Sequence, residues 1–126
     1  MTETPSVPPA VLSLTQKQAR FENLTAKLVL ECAANSIELV CFRFISTQAD
    51  DLEYYLRGLS EIDPRKQPTM HMMRLAKDYA VVQNETISWT AVESYLRMGE
   101  IAESLGLRWG GRWKTIVDQV HIEYRE

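Results

Sequence analysis

The chain has 126 residues, 45% hydrophobic and 25% charged, with a formal net charge of −3. That length suits one domain with its own core, and the composition is that of an ordinary water-soluble globular protein. Lys and Arg are scattered, so there is no basic stripe of the kind nucleic-acid binders carry, and no run approaches the ~20 apolar residues of a membrane-spanning helix.

Residues 1–13 hold three of the five prolines and little periodicity, and are expected to form a flexible N-terminal arm before a single folded domain over 14–126. The first residues lack the basic and apolar regions of a secretory signal, so the chain is expected to stay in the cytoplasm unless something releases it. Thr15-Gln-Lys-Gln18 has the form of a capping box. The helix it opens carries Phe21, Leu24, Leu28 and Cys32 on one stripe and stops at Asn35-Ser36. Residues 37–45 are rich in β-branched and aromatic side chains and read as a central strand. Thr47 caps a second helix through Asp50, with Leu52 and Leu56 facing inward and Gly58 ending it.

Residues 59–70, with Pro64 and Pro68, read as loop, and Leu75 to Val82 as a strand. Thr90-Ala-Val-Glu93 is a second capping box, opening a helix through Leu105 with Gly106 as its stop. A Gly-Gly turn flanked by Trp109 and Trp113 follows, then a short strand from Val120 to Tyr124. The order predicts an α+β fold, a small antiparallel sheet packed by helices. Cys32 and Cys41 have no CxxC spacing and read as free buried thiols acting as small hydrophobes.

The chain has two histidines, and each travels with an aspartate: His71 with Asp78, and His121 with Asp118. Two imidazoles and one carboxylate can hold a zinc ion and leave a position open for water, on which a second carboxylate can act. The pair His71 and Asp78 is weak alone. On a straight strand the two would point to opposite faces, so His71 must precede the strand in a loop. A lone His near an Asp is more often a hydrogen-bonded pair than a ligand set. Only the joint count gives both histidines a task.

The pattern Thr69-x-His71-x-x-Arg74-x-Ala76-x-Asp78 resembles the Ser-x-His-x-x-Gly-x-Ala-x-Asp motif of zinc-dependent peptidoglycan peptidases. These are D-Ala-D-Ala carboxypeptidases and L-alanyl-D-glutamate endopeptidases, many of them phage endolysins. Leu107-Arg-Trp109-Gly-Gly-Arg-Trp113 followed by Asp118-x-x-His121 is similar to that family's second block, Leu-x-Trp-Gly-Gly-x-Trp and then Asp-x-x-His-Phe. The resemblance covers roughly residues 16–125. It implies a fold like that of the hedgehog and D,D-peptidase domains, one zinc ion held by His71, Asp78 and His121, and Asp118 as catalytic acid and base.

Departures are Thr69 for Ser, Arg74 for Gly, Tyr79 for Leu and Ile122 for Phe. Where the family has an arginine that holds substrate or the developing oxyanion, this chain has Ser46-Thr47. Arg43 would reach that face only through a β-bulge; Arg74 and Arg112 are the other candidates for the positive charge. Thr69, Trp109 and Trp113 read as groove or structural support, with the tryptophans mainly packing to position Asp118 and His121. Gly110-Gly111 permits the turn; Met70, Met72 and Met73 fill the core near the site; Tyr54 and Tyr55 read as half-buried surface aromatics.

The resemblance implies a hydrolase, a metallopeptidase that degrades the bacterial cell wall, encoded by a phage or prophage. Cleavage between L-alanine and D-glutamate is favoured over D,D-carboxypeptidase activity. It further implies a monomer that waits in the host cytoplasm and reaches its stem-peptide substrate through a holin-type pore partner. The alternative is a catalytically impaired homologue that serves as a wall-binding or phage-particle module, motivated by the arginine missing at Ser46. A purely structural zinc domain is disfavoured, because such sites are usually closed by four ligands rich in Cys.

Overall fold

The computed structural model describes residues 11–126. The arm expected over residues 1–13 therefore lies almost entirely outside the described residues.

The first helix, α1 (Leu14–Ala34), is capped by Ser13 rather than Thr15. Ser13 Oγ accepts from the Gln16 amide at 3.2 Å, and Gln16 Oε1 accepts from the Ser13 amide at 2.9 Å. Both hydroxyls are followed three residues later by glutamine, and the earlier pair takes the cap, leaving Thr15 inside the first turn. The buried stripe is Phe21, Thr25, Leu28 and Cys32, with Leu24 only partly covered. The helix stops as expected at Asn35, and Ser36 takes the left-handed conformation with φ 61°.

Strand β1 (Glu38–Arg43) follows, then helix α2 (Gln48–Leu56), strands β2 (Ala76–Gln83) and β3 (Thr86–Ser88), helix α3 (Val92–Ser104), strand β4 (Arg108–Trp109) and strand β5 (His121–Glu123). All strand pairs are antiparallel, in the order β1-β2-β5-β4, with β3 also on β2. The expected α+β architecture is present. The expected central strand is not β1 but β2, whose Ala76, Asp78, Tyr79, Ala80 and Val81 are buried. β1 is an edge strand whose Val40, Cys41 and Phe42 stay exposed, so its apolar composition does not report burial on both faces, and of the two thiols expected to be buried only Cys32 is. The β2–β3 hairpin turns on Asn84 and Glu85, both at positive φ, a two-residue turn that the sequence reading missed.

α1 and α3 cover one face of the sheet, and the core runs through Phe21, Leu28, Tyr95, Met98, Leu107, Trp109 and Ile122. Two further expectations are corrected. α3 starts at Val92 with Ala91 as its N-cap and no side-chain cap bond; Glu93 is then only the second helical residue and cannot close a box with Thr90. On α2 the capping box of Thr47 and Asp50 is present, but Leu56 is 68% exposed, and the buried residue of that helix is Asp51.

Trp109 is positioned by two glycines. A Cβ on Gly99 of α3 or on Gly111 would fall inside its indole ring. The indole Nε1–H donates to the Gln119 carbonyl at 2.8 Å, which ties the Gly-Gly turn to the segment that carries Asp118.

Candidate metal centre

Three neighbouring strands bring one row of side chains together. Asp78 of β2 lies opposite His121 of β5 on one side and opposite Arg43 of β1 on the other. Residues directly opposite one another in a sheet point to the same face. The β1 register shifts between Cys41 and Arg43, so the strand bulges by one residue there and turns Arg43 to the face of Asp78. His71 arrives from the turn before β2, in which the Arg74 amide donates to the His71 carbonyl and the Leu75 amide to the Met70 carbonyl. Arg74 closes that turn at φ 58°, a conformation suited to glycine.

The ligand atoms of His71, Asp78 and His121 all lie within 4.8 Å of one another, and all three residues are buried. Asp78 Oδ1 is 3.3 Å from His71 Nε2 and 3.2 Å from His121 Nδ1. The outer nitrogens are anchored. His71 Nδ1 faces the Phe44 carbonyl at 3.0 Å, so it carries the proton and donates. His71 Nε2 is then a bare acceptor aimed at a carboxylate oxygen, and it is buried without a hydrogen-bond partner among the described residues. Two acceptors facing each other in a buried site call for a cation between them. His121 Nε2 lies 2.8 Å from Glu123 Oε1, which leaves Nδ1 directed at Asp78 and the same centre. A carboxylate behind a ligating imidazole is the usual way such a ring is oriented and made more basic. His71, Asp78 and His121 are thus a donor set able to hold a metal ion.

Electrostatics fit this arrangement. Burial works to raise the Asp78 carboxyl, but the His121 and His71 imidazoles beside it, His121 first, hold it well below the carboxylate range. Burial alone would lower His121; its bonds to Asp78 and Glu123 instead push it up to about 9. Asp118 moves the other way from Asp78, raised first by burial and then by the Asp78 charge. Two nearby carboxyls driven apart in this way are suited to different roles.

A groove of about 660 Å³ runs over the centre, lined by Arg43, Thr69, Asp118 and Trp113 together with the three clustered residues. Trp113 lies against His121, with ring centroids 4.8 Å apart. The segment 110–121 is held close: the Asp118 amide donates to the Gly110 carbonyl at 3.0 Å and the His121 amide to the Asp118 carbonyl at 3.2 Å. A Cβ on Gly110 would stand 2.5 Å from the Asp118 carbonyl oxygen, so only glycine allows this approach.

The sequence-derived residues divide clearly. His71, Asp78, His121, Asp118, Arg43, Thr69 and Trp113 line the groove. Trp109 is core. Arg74 is exposed and away from the groove, and Arg112 turns outward to Glu103 at 3.0 Å. Ser46 is buried and donates to Asp51 at 2.8 Å. The structure adds Asp51, Glu123 and Arg108, none of which the sequence reading assigned a role. Glu123 was within reach of sequence reasoning, since residues two apart on a strand share a face with each other.

Comparison with known proteins agrees with this geometry. Residues 64–124, the stretch containing all three clustered residues and Asp118, match the family described as D-alanyl-D-alanine carboxypeptidase. That match spans just under half of the chain. The chain is also similar, at 27% identity over 116 residues, to the L-alanyl-D-glutamate peptidase of Listeria phage A118. That alignment covers 90% of this chain but 40% of the phage protein, so the chain spans about two fifths of the length of this curated relative. In structure it is similar to the L-Ala D-Glu endopeptidase of Serratia marcescens, with a TM-score of 0.62, 20% identity, and coverage of 86% of this chain and 77% of the other. That likeness shows that the chain shares the α+β fold of this structure. Among its described residues no helix is long and apolar enough to cross a membrane.

Proposed function

We propose that the protein is a zinc-dependent peptidase that hydrolyses the stem peptide of bacterial peptidoglycan, cutting between L-alanine and D-glutamate in preference to D,D-linkages, in the manner of a phage endolysin. The observation that carries this reading is the buried His71–Asp78–His121 cluster, with its unpartnered nitrogen, opening onto a groove that Asp118 also lines. The similarity to two peptidases named for the L-Ala–D-Glu bond supports the choice of bond.

His71 Nε2, Asp78 and His121 Nδ1 would hold the zinc. When bound, the ion would polarise the scissile carbonyl and lower the pKa of a water molecule. The remaining chemistry falls to the chain's own groups. Asp118, with its carboxyl raised by burial, takes the water's proton and returns it to the leaving amine. Arg43 presents a fixed positive charge at the groove wall, suited to a substrate carboxylate or to charge developing on the carbonyl oxygen. Glu123 keeps the proton of His121 on Nε2, and Trp113 covers the outer side of that ring. The protein acts as a monomer and, as an endolysin, would depend on a holin-type partner to reach the wall.

The competing reading, an impaired homologue acting as a binding module, rested on a missing positive charge at Ser46. The bulged Arg43, 3.5 Å from Asp78 Oδ2, weakens its motivation. Zinc-loaded protein incubated with purified peptidoglycan is expected to release new amino groups, while Asp118→Ala and His121→Ala lose at least about a hundredfold in rate. Zinc-loaded wild type that releases none from any wall chemistry would favour the module.

A further inference from the structure

Arg43 reaches the groove through a contact on α2. Asp51 and Tyr54 are three residues apart on that helix and so lie on one face. Asp51 Oδ1 accepts from Arg43 Nη2 at 2.5 Å, and the Arg43 guanidinium carbon lies 4.4 Å from the centre of the Tyr54 ring. The other terminal nitrogen, Nη1, is 3.5 Å from Asp78 Oδ2, too far for a strong hydrogen bond. A guanidinium has five N–H donors, and the bond to Asp51 is the only hydrogen bond that Arg43's side chain makes among the described residues. The carboxylate below and the ring beside it fix the plane of the group and leave donors facing the groove.

Asp51 also joins separate parts of the site. Its side chain is 3% exposed, and its Oδ2 accepts from Ser46 at 2.8 Å and from the Thr69 hydroxyl. Thr69 opens the turn that carries His71, where its hydroxyl accepts from the Met72 amide at 3.2 Å. A buried carboxylate with donors from β1, from the β1–α2 loop and from the His71 turn has little freedom to move. Without it, the nearest acidic partner of Arg43 is Asp78 itself, one of the clustered residues.

We propose that Asp51 and Tyr54 form a seat that holds Arg43 toward the groove and keeps it from closing onto Asp78. They are positioning residues for the reaction, and this role rests on the reading of the groove as a peptidase site. Asp51→Asn keeps an oxygen for the Ser46 and Thr69 hydroxyls, so the part of its effect that belongs to the seat should vanish once Arg43 is gone.

The test is a double-mutant cycle on zinc-loaded protein, with ¹⁵N spectra of the arginine side chains as a second readout. Asp51→Asn is expected to lower kcat/KM about thirtyfold and Arg43→Gln about a hundredfold, with the double variant within about threefold of Arg43→Gln. Tyr54→Leu changes a half-exposed residue and buries no charge; it is expected to cost about three- to tenfold, also only when Arg43 is present. In the wild type the Arg43 Nη signals should be resolved and slow to exchange, and Asp51→Asn should abolish that protection. Losses that multiply in the double variant, or protection that survives both Asp51→Asn and Tyr54→Leu, would overturn the seat. If Asp51→Asn does not fold, Tyr54→Leu and its combination with Arg43→Gln carry the same decision. A wild type that cleaves no peptidoglycan would refute the peptidase reading, while the exchange measurement would still decide the seat.

Discussion

At the scale of single residues, His121 carries the most information. Both its nitrogens face carboxylates, Asp78 and Glu123, and its pKa is raised from the usual 6.5 to about 9. A raised pKa means that the protonated ring stabilises the fold. In metal-free protein that stabilisation is complete below pH 6.5 and is lost as the pH rises through about 9. A metal ion must displace the same proton. Zinc affinity is therefore expected to rise by about tenfold per pH unit up to roughly pH 9, with one proton released per ion, as measured by calorimetry in buffers of different ionisation enthalpy. Affinity that does not change between pH 6.5 and 8.5 would show that His121 is not a ligand. Arg74 supports a second prediction at this scale. Its φ of 58° is unfavourable for a residue with a Cβ, and its side chain is exposed. Arg74→Gly is expected to raise the unfolding free energy by about 1 kcal/mol in urea titrations, without altering metal binding.

At the scale of elements, the site depends on close backbone approaches. α3 packs against Trp109 only because position 99 lacks a side chain, and Trp109 in turn anchors Gln119, next to Asp118. Gly99→Ala is expected to destabilise the protein by about 2–3 kcal/mol in urea unfolding, since the obstructing atoms belong to a buried indole rather than a flexible chain. A change below about 0.5 kcal/mol would mean that the ring can shift aside. The elements also show where sequence signals ran out. The stop of α1, the cap of α2 and the positions of β2 and β5 were legible, because Asn35-Ser36, Thr47-x-x-Asp50 and runs such as Tyr79 to Val82 carry their own local chemistry. The β2–β3 hairpin was not, because Asn84-Glu85 lacks the glycine that usually marks such a turn. Two boxes were misread because a hydroxyl followed three residues later by Gln or Glu does not say which residue is the last before the helix, as Ser13 and Ala91 show.

At the scale of the whole molecule, the legible half of the site is the half encoded in short spacings. His71 to Asp78 and Asp118 to His121 are local pairs, and the sheet then joins them through the register of Asp78 with His121. Arg43 could be assigned only conditionally, because the bulge that turns it inward depends on how β1 pairs with β2. Asp51 could not be found at all: its donors, Arg43, Ser46 and Thr69, come from separate segments that only the folded chain brings together. Every chemical role proposed for the site requires that His71, Asp78 and His121 hold one ion. The most direct test is equilibrium zinc titration of metal-stripped protein, wild type beside His71→Ala, with circular dichroism as a check on the fold. One zinc ion per chain for the wild type, and a loss of at least about a hundredfold in affinity for a folded His71→Ala, is the predicted result. A wild type that binds no zinc, or a His71→Ala variant that binds it as tightly, would contradict the account.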